Sequence, residues 1–432
     1  MILGPVSYFD CLIFCLLLAP QLIWHVGLFE TVFCALSTLP FLRKVTFLFY
    51  HHISQDHKTN TRTTVLKLPT SFIYERYLLP PARQPPFVRQ ATFFEDLVVR
   101  CVRYAFANIP PSVGHVFFCK QVALPFLGWR MLRHGYLTSP IHWREQAGRG
   151  FRGVWIIADP EQAPDVVLYY AHGGGFSMGS PYFYLEFLIS WLGLLREAGG
   201  YANPAIFALE YTLVPEGSYP TQLGEAVAGY RHVLTVARDP SIVAVGGDSA
   251  GAMLVLSMLL HLAAKEHGEA GLIPGKDDVT LQKPNFAVLI SPWVTLVSPV
   301  HKNNTSDYLD VDTLHRYGLQ YTDNRIKPND PLVSPGSCKD VDWWRRAAPT
   351  QGIFITYGEE EVFQPDIKQF VRLLRKAGVA VGSQEAAGGI HAWPVASLFL
   401  ASSREKRLRG LRCLVEKIRE RVPPGRERVG VC

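Results

Sequence analysis

The sequence predicts an α/β protein with a mostly parallel central sheet and helices on both of its faces. From about residue 151 onward, short β-branched or aromatic runs alternate with segments whose apolar residues recur at helical spacing. This alternation is typical of parallel sheets that are covered by helices on both sides. Two of the runs lead into glycine-rich turns, one after His172 and one around Ser249.

Each predicted element rests on its residue pattern. The predicted strands are 154–158, 166–171, 205–211, 242–245, 286–290, 353–357 and 379–384. The predicted helices are 93–106, 181–198, 221–237 and 366–377. Between 293 and 349 this rhythm stops, and the aromatic, irregular stretch predicts an insertion above the strand ends.

The charge distribution argues against one broad class of function. The chain has 432 residues and a net charge of +6. Residues 404–428 hold ten Lys and Arg against four Glu, which accounts for the whole surplus. The rest of the chain is close to neutral, which argues against a nucleic-acid-binding body. The basic tail predicts a terminal amphipathic helix, with either a solvated basic face or a contact with anionic lipid headgroups.

The eight cysteines are scattered, and no pair has C-x-x-C spacing. We therefore predict no disulfide framework and no metal site. A reducing compartment is expected for the globular part.

The first fifty residues differ from the rest. No charged residue lies between Cys11 and Phe29, and these nineteen residues are just enough to span a bilayer core as a helix. We interpret residues 1–50 as an N-terminal membrane anchor. A cleaved signal peptide and a buried globular helix are the alternatives.

Two basic residues, Arg43 and Lys44, follow the apolar block. By the positive-inside rule they favour a catalytic domain that faces the cytoplasm, and we expect the anchor to lie in the endoplasmic reticulum membrane. Pro20 and Gly27 also allow a membrane-embedded hairpin, which leaves the domain on the same side. Residues 51–150 are interpreted as a cap or linker region.

Ser249 is the predicted nucleophile. Gly247 and Gly251 flank it at the spacing of a G-x-S-x-G nucleophile elbow, between an apolar strand and an apolar helix. The glycines are needed because the turn is strained and a side chain there would collide with a neighbouring element. Asp248 is expected to brace the neighbouring loops. The alternative is a chance match in a glycine-rich loop.

The predicted oxyanion hole follows another strand, at His172. Gly173, Gly174 and Gly175 let the backbone approach a substrate oxygen and present N–H groups to it. Ala250, directly after the nucleophile, supplies a further N–H group. A flexible glycine-rich turn is the alternative.

The general base should follow the last strand of such a sheet, where His391 lies in a glycine-containing loop. The acid that orients the base should follow the preceding strand, and we choose Glu361. Asp366, which is expected to begin the next helix, is the first alternative, and Glu359 and Glu360 are the others.

The stretch from about residue 151 to residue 421 resembles the hormone-sensitive-lipase-like family of α/β-hydrolases. The motifs that carry the resemblance are 172–176, 247–251, 290–293, 330–331, 358–361 and 389–391. The resemblance implies an α/β-hydrolase fold whose catalytic domain covers residues 151–425. It also implies a helical cap formed by residues 51–150 and by an insertion at about 293–349.

The resemblance also implies the chemistry. In that family the second and third glycines of the first motif, with the residue after the serine, form the oxyanion hole, here Gly174, Gly175 and Ala250. The family acid is commonly Asp, and Glu361 stands in its place. The implied protein is a serine carboxylic ester hydrolase that forms an acyl-enzyme and needs no cofactor.

An N-terminal anchor before such a domain is similar to the membrane-bound steryl acetyl hydrolases and neutral ester hydrolases of the family. This similarity implies a small lipophilic ester with a short, acetyl-like acyl group as substrate. The alternatives are an acyltransferase, an amidase or a tailoring hydrolase of secondary metabolism. A non-catalytic ligand receptor on the same fold is a further alternative.

Overall fold

An eight-stranded sheet forms the centre of the protein. The structure, a computed structural model, describes residues 2–38, 72–266 and 281–425. The strands are β1 (His142–Gly148), β2 (Phe151–Ile157), β3 (Val166–Ala171), β4 (Pro204–Leu209), β5 (Val243–Asp248), β6 (Phe286–Ile290), β7 (Ile353–Gly358) and β8 (Val381–Ala386).

The strand order in the sheet is β1-β2-β4-β3-β5-β6-β7-β8. β2 is antiparallel to its neighbours β1 and β4, and the other neighbouring pairs are parallel. The prediction of a mostly parallel sheet is therefore confirmed. Because parallel strands end at the same edge, the loops after β3, β5, β6, β7 and β8 meet there.

Helices cover both faces of the sheet and precede it in the chain. Before the sheet come α1 (Tyr8–His25), α2 (Leu28–Thr38), α3 (Pro86–Gln90), α4 (Phe93–Asn108), α5 (Pro111–Phe117) and α6 (Lys120–Arg133). Later come α7 (Leu185–Glu197), α8 (Thr221–Ala237), α9 (Ser249–Glu266), α10 (Val311–Tyr321), α11 (Val341–Ala347), α12 (Gln364–Lys376), α13 (Trp393–Leu400) and α14 (Arg404–Arg421).

Two apolar cores lie on opposite faces of the sheet. In β3, Val167 and Tyr169 belong to the core under α8, α9 and α12, whereas Leu168 and Tyr170 belong to the core under α7 and α14. This alternation follows from the two-residue repeat of a strand. All residues of β3 to β7 are buried, which explains the continuous apolar runs in the sequence.

The bounds of the central elements agree closely with the sequence pattern. β3, β6 and α8 coincide with their predicted ranges, and the 293–349 insertion contains α10 and α11. The sequence pattern did not predict β1. The sheet therefore begins at His142 and not at about residue 151. β1 is an edge strand whose residues include Arg144, Glu145 and Gln146 and are mostly exposed, so no apolar alternation marks it.

The N-terminal segment is built into the body of the protein. Leu3 is buried in the same core as α7 and α14, and its carbonyl accepts a hydrogen bond from Arg407. The N–H of Val6 donates to the carbonyl of Phe399 at 2.9 Å. Composition sets residues 1–50 apart as an anchor, but Leu3 belongs to the core and Ile2 packs against it. The remainder of that range, 39–50, and residues 51–71 lie outside the described residues.

A buried ion cluster holds the start of α1. Asp10 has no exposed surface and accepts hydrogen bonds from Trp129 Nε1 at 3.0 Å and Arg130 Nη1 at 3.2 Å. Arg130 also makes two hydrogen bonds to Glu186 of α7, at 3.1 and 2.8 Å. Arg133 lies 3.0 Å from Asp10. Because buried charges need partners, this cluster ties α1, α6 and α7 into one arrangement.

The terminal helix α14 is amphipathic, as the sequence predicts. Its apolar side, with Leu408, Leu411 and Leu414, is buried in the core that also contains α7, and most of its basic residues are exposed. Arg407 is the exception, because it is buried and donates to the carbonyl of Leu398 at 2.9 Å. A contact between this helix and anionic lipid headgroups stays a prediction.

Replacing Arg130 with methionine should lower the free energy of unfolding by roughly 3–5 kcal/mol, because Asp10 and Glu186 lose their common buried partner. Arg133→Met is the matched control. Its side chain is 26% exposed, and Asp10 keeps Arg130, so we expect a loss of about 1 kcal/mol or less. Chemical denaturation followed by circular dichroism measures both. Equal losses in the two variants would contradict the central role of Arg130.

Candidate active site

The turn at Ser249 is a strained connection between β5 and α9. Ser249 has a φ of +53°, a conformation that residues with side chains rarely adopt. A Cβ at Gly247 would lie 2.6 Å from the carbonyl oxygen of Ala171, and a Cβ at Gly251 would collide with the carbonyls of Ala171 and His172. Both positions need glycine because the end of β3 passes directly against the turn.

The glycine loop after β3 presents free backbone donors. Gly174 and Gly175 have φ values of +116° and +62°. Among the described residues, none accepts a hydrogen bond from the N–H groups of Gly174, Gly175 or Ala250. The N–H of Gly173 instead donates to Asp248 Oδ1 at 2.9 Å. Gly173 was expected to be a fourth oxyanion donor, but its N–H is used to hold the loop against the turn.

Asp248 braces the two loops, as its position beside the nucleophile predicts. Besides Gly173, it accepts hydrogen bonds from the hydroxyls of Tyr170 and Tyr184, each at 2.7 Å. Burial raises the pKa of Asp248 to about 6, while these hydrogen bonds act in the opposite direction. The contacts of Asp248 are thus to the scaffold around the turn and not to His391.

Glu361 and His391 meet beyond the ends of β7 and β8. Glu361 Oε2 lies 3.8 Å from His391 Nδ1, which is longer than a formed hydrogen bond. The same oxygen accepts hydrogen bonds from Ser291 Oγ at 2.5 Å and from the N–H of Gly358 at 3.1 Å. Ser291 Oγ in turn accepts the N–H of Ala392 at 3.0 Å. Ser291 therefore links the acid to the histidine loop.

Burial shifts the pKa values of both His391 and Glu361. It lowers the pKa of His391 well below its ordinary value, so the imidazole is neutral at neutral pH and is able to accept a proton. Burial also raises the pKa of Glu361, and the hydrogen bond from Ser291 acts in the opposite direction. An imidazolium formed at His391 would be stabilised by the nearby carboxylate, since charges attract strongly where water is excluded.

The other candidates for the acid that orients His391 contact other groups. Asp366 Oδ2 lies 2.9 Å from His301 Nε2, and its Oδ1 accepts a hydrogen bond from Ser298 at 3.0 Å. Glu359 is at the surface and accepts the N–H of Gly388 at 2.9 Å. In the part of the chain that the structure describes, no group of three or more His, Cys, Asp or Glu side chains is placed to hold a metal ion.

Aromatic rings connect the serine turn with the histidine loop. The backbone N–H of Trp293 donates to the carbonyl of Ser249 at 3.1 Å, and the indole ring of Trp293 stacks on Phe363 with centroids 5.9 Å apart. Phe363 makes an edge contact with His391 at 5.1 Å. Ser249 and His391, both described, do not share a hydrogen bond here. Such bonds are often long without substrate and tighten when it binds.

Asp307 is a residue of this site that the sequence analysis missed. It is fully buried, and it accepts the backbone N–H of His391 at 3.0 Å and that of Val362 at 2.9 Å. Burial raises the pKa of Asp307 to about 6, whereas these backbone donors favour its ionised form. One carboxylate thus holds the loops of both the base and the acid. The polar residues 303–306 before it have the composition of a solvated turn, so no signal marked it.

Helix α4, which precedes the sheet, and helix α10 of the 293–349 stretch reach the same loops. Arg103 of α4 donates to the carbonyls of Thr305 at 2.7 Å and Asp307 at 2.5 Å. Phe106, also on α4, makes an edge contact with Tyr317 of α10 at 5.7 Å. Tyr317 lies against the glycine loop, because a Cβ on Gly175 would be 2.8 Å from its ring. The N-terminal helices and the late insertion therefore meet beside the candidate oxyanion hole.

Comparison with known proteins identifies the family. Residues 168–395 match the family described as alpha/beta hydrolase fold. The chain belongs to this family. An acetyl-hydrolase from Streptomyces hygroscopicus is 30% identical over 238 residues, which are 54% of this chain and 70% of that protein. An esterase from Acinetobacter venetianus is 26% identical over 236 residues, which are 54% of this chain and 68% of that protein.

Solved structures of α/β-hydrolases have the same fold. An esterase from the bacterial hormone-sensitive lipase family matches with 22% identity and a TM-score of 0.57, over 77% of this chain and 99% of that one. Carboxyl esterase 2 from the fungus Tuber melanosporum matches with 24% identity and a TM-score of 0.54, over 67% of this chain and 90% of that one. The predicted fold and the resemblance to hormone-sensitive-lipase-like hydrolases are confirmed.

Replacing Asp307 with alanine should lower kcat for a soluble ester by about 100-fold with little change in KM, because small displacements of catalytic groups are costly. Asp307→Asn keeps one carbonyl acceptor and should fall between alanine and wild type. Steady-state kinetics measures both variants. Asp312→Ala, at an exposed position of the same insertion, is the control. A folded Asp307→Ala variant with wild-type kcat would contradict the positioning role.

Proposed function

We propose that the protein is a serine carboxylic ester hydrolase. The observation that carries the proposal is a strained serine together with three N–H groups, those of Gly174, Gly175 and Ala250, for which the described part of the chain supplies no acceptor. A neutral, buried His391 with Glu361 behind it supplies the proton chemistry. This combination of nucleophile, base, acid and oxyanion donors is what acyl transfer requires.

In the proposed reaction, His391 Nε2 takes the proton of Ser249 as the serine Oγ attacks the ester carbonyl carbon. Glu361 faces the other ring nitrogen and stabilises the imidazolium. Collapse of the tetrahedral intermediate breaks the bond to the alcohol oxygen, which receives the proton from His391. Water then attacks the acyl-enzyme by the same route and releases the carboxylic acid and the free serine.

Two features would stabilise the negatively charged tetrahedral intermediate. α9 begins at Ser249, so the positive end of the helix dipole points toward the developing oxyanion. The surrounding residues are buried, and each N–H donor is more effective where water is excluded. The proposed steps use only side chains and backbone groups of this chain and need no cofactor.

The proposed substrate is a small lipophilic ester with a short acyl group. Phe176 stacks on Tyr321 with centroids 3.8 Å apart, directly after the glycine loop. Tyr317 lies against Gly175, so large aromatic side chains flank the oxyanion loop and favour a short acyl group there. The similar protein from Streptomyces hygroscopicus is named an acetyl-hydrolase, which supports an acetyl-like group.

We also propose that the N-terminal segment attaches the enzyme to a membrane. By length and composition alone, α1 is apolar enough to cross a bilayer. A cleaved signal peptide is disfavoured, because removal of α1 would take Leu3 and Asp10 out of the core. The endoplasmic reticulum and the cytoplasmic orientation stay predictions.

The wild-type full chain should hydrolyse p-nitrophenyl acetate faster than the butyrate, and the butyrate faster than the palmitate. Ser249→Ala should reduce kcat by about 10⁴-fold or more, because the nucleophile is lost. Nitrophenol release measures the rates. Ser257→Ala is the control: it lies on the same helix, and its buried hydroxyl has no hydrogen-bond partner among the described residues.

Two outcomes would move the protein to another class. A folded wild-type chain that hydrolyses no ester and is not labelled at Ser249 by a fluorophosphonate would indicate a ligand receptor. Faster acyl transfer to an added alcohol than to water would indicate an acyltransferase.

Glu361→Gln should lower kcat by about 10³- to 10⁴-fold, because the imidazolium loses its counter-charge and the neutral ring loses its orientation. Asp366→Asn should leave kcat within about threefold, since Asp366 pairs with His301 and any cost should fall on stability. The same ester assay, with circular dichroism to check folding, compares the two. The opposite ranking would assign the acid role to Asp366.

A further inference from the structure

The helix α1 carries apolar side chains on two opposite sides, but the protein covers only one of these sides. The covered side carries Asp10, Phe14 and Leu22, which are buried. The other side, the outer face, carries five apolar side chains that are 46–60% exposed: Tyr8, Phe9, Leu12, Leu16 and Ile23. A helix that rests on a water-soluble body normally has a polar outer face. The outer face therefore requires an apolar partner of its own.

The exposed apolar surface continues at the turn from α1 into α2. Trp24 and Phe29 are 84% and 81% exposed, the largest exposed fractions among the large apolar side chains of α1 and α2 that the structure describes. His25 and Glu30 are exposed beside them. A ring with polar neighbours is typical of the level at which lipid headgroups meet hydrocarbon.

The surface also extends from α1 toward residues 73–78. Tyr8 makes an edge contact with Phe94 of α4 at 4.8 Å. The adjacent Phe93 contacts Phe72 at 5.3 Å, and Phe72 contacts Tyr77 at 6.4 Å. Four exposed apolar side chains lie on this segment: Ile73, Tyr74, Tyr77 and Leu78. These ring contacts therefore connect α1 with residues 73–78 across the start of α4, so the exposed apolar side chains of both segments form a group rather than scattered surface residues.

Both ends of α1 rest on the protein body, so the helix lies along it. Its start is held by the cluster of Asp10 with Arg130, and its end packs through Leu22 on Val113 and Val116 of α5. A helix of 18 residues is about 27 Å long, and crossing a bilayer would place its ends on opposite sides. Residues 2–7, which lie in and against the core, would be separated from that core.

We propose that α1, the turn at Trp24 and Phe29, and residues 73–78 enter one leaflet of a lipid bilayer without crossing it. The chemistry favours lipid over a second copy of the chain. The outer face of α1 has no charged side chain, and the single acidic residue of α1, Asp10, is turned inward onto arginines. An interface with a second protein would have a polar rim with hydrogen bonds. A face that contacts lipid hydrocarbon needs no such hydrogen-bonding groups.

The contact of α1 with the leaflet would also bring the candidate active site close to the membrane. The consequence for substrate access rests on the proposed function. Gly114 of α5 lies against Met178, and the carbonyl of Met178 lies against Gly174 of the oxyanion loop. α5 therefore lies between α1 and the loop that carries the oxyanion donors. A lipophilic ester dissolved in the leaflet would approach Ser249 from the side of α5, next to the oxyanion loop.

Vesicle flotation tests the membrane face on the full-length chain. The wild-type protein should float with phosphatidylcholine vesicles. The double variant Leu12→Ser/Leu16→Ser should lose at least about tenfold in partitioning, because two side chains leave the hydrocarbon. Its hydrolysis of soluble p-nitrophenyl acetate should be unchanged. The matched control, Val236→Ser/Leu319→Ser, removes exposed apolar side chains from α8 and α10 and should float as the wild type does.

Protease access in sealed microsomes tests whether α1 crosses the bilayer. Short tags on the N-terminus and on the C-terminus should both be cleaved from the same side. Cleavage of only one tag would overturn the proposal and indicate a spanning helix. A wild type that does not float, and that changes from dimer to monomer on Leu12→Ser/Leu16→Ser, would also overturn it and indicate a second copy as the partner.

The two proposals fail separately. Neither vesicle flotation nor protease access depends on ester hydrolysis. The Ser249→Ala variant should therefore float with vesicles as the wild type does. A chain that floats with both tags on one side but hydrolyses no ester would overturn the proposed function alone.

Discussion

The close approach of β3 to the turn at Ser249 is the constraint on which the candidate site depends. Glycine is required at Gly247 and Gly251 because the carbonyls at the end of β3 occupy the space where a side chain would stand. The serine is consequently held at a positive φ. Asp248, at the same turn, accepts the N–H of Gly173, whereas no described residue accepts the N–H groups of the next two glycines. Strain at the nucleophile and free donors beside it thus arise from one packing arrangement.

Buried carboxylates hold the parts of the molecule that are distant in sequence. Asp307 joins the loops of His391 and Val362, and Asp10 joins α1 to α6 and α7. In both cases a charge removed from water is satisfied by several donors, and its loss would leave those donors unpaired. The same exclusion of water keeps His391 neutral and strengthens its interaction with Glu361. Stability and proposed chemistry therefore depend on the same physical condition.

The N-terminal segment links the proposed membrane face to the cap. Its apolar residues divide into those that complete the core, such as Leu3, and those that remain uncovered, such as Leu16. One of the helices on which α1 rests, α5, lies against Met178, and the carbonyl of Met178 lies against the oxyanion loop. An attachment of this kind would orient the body on the bilayer as well as retain it there, since the helix is fixed to the body at both of its ends.

The sequence by itself determined the central sheet and the local motifs. Buried parallel strands are continuous apolar runs, and the serine and glycine motifs are short enough for neighbouring residues to decide their conformation. It did not reveal β1, because an exposed edge strand has no apolar alternation. Only the tertiary structure decided that Glu361, and not Asp366, faces His391, since both follow the same strand. It alone also brought Asp307 to the histidine loop and Asp10 to Arg130, because contacts between distant residues leave no periodic signal.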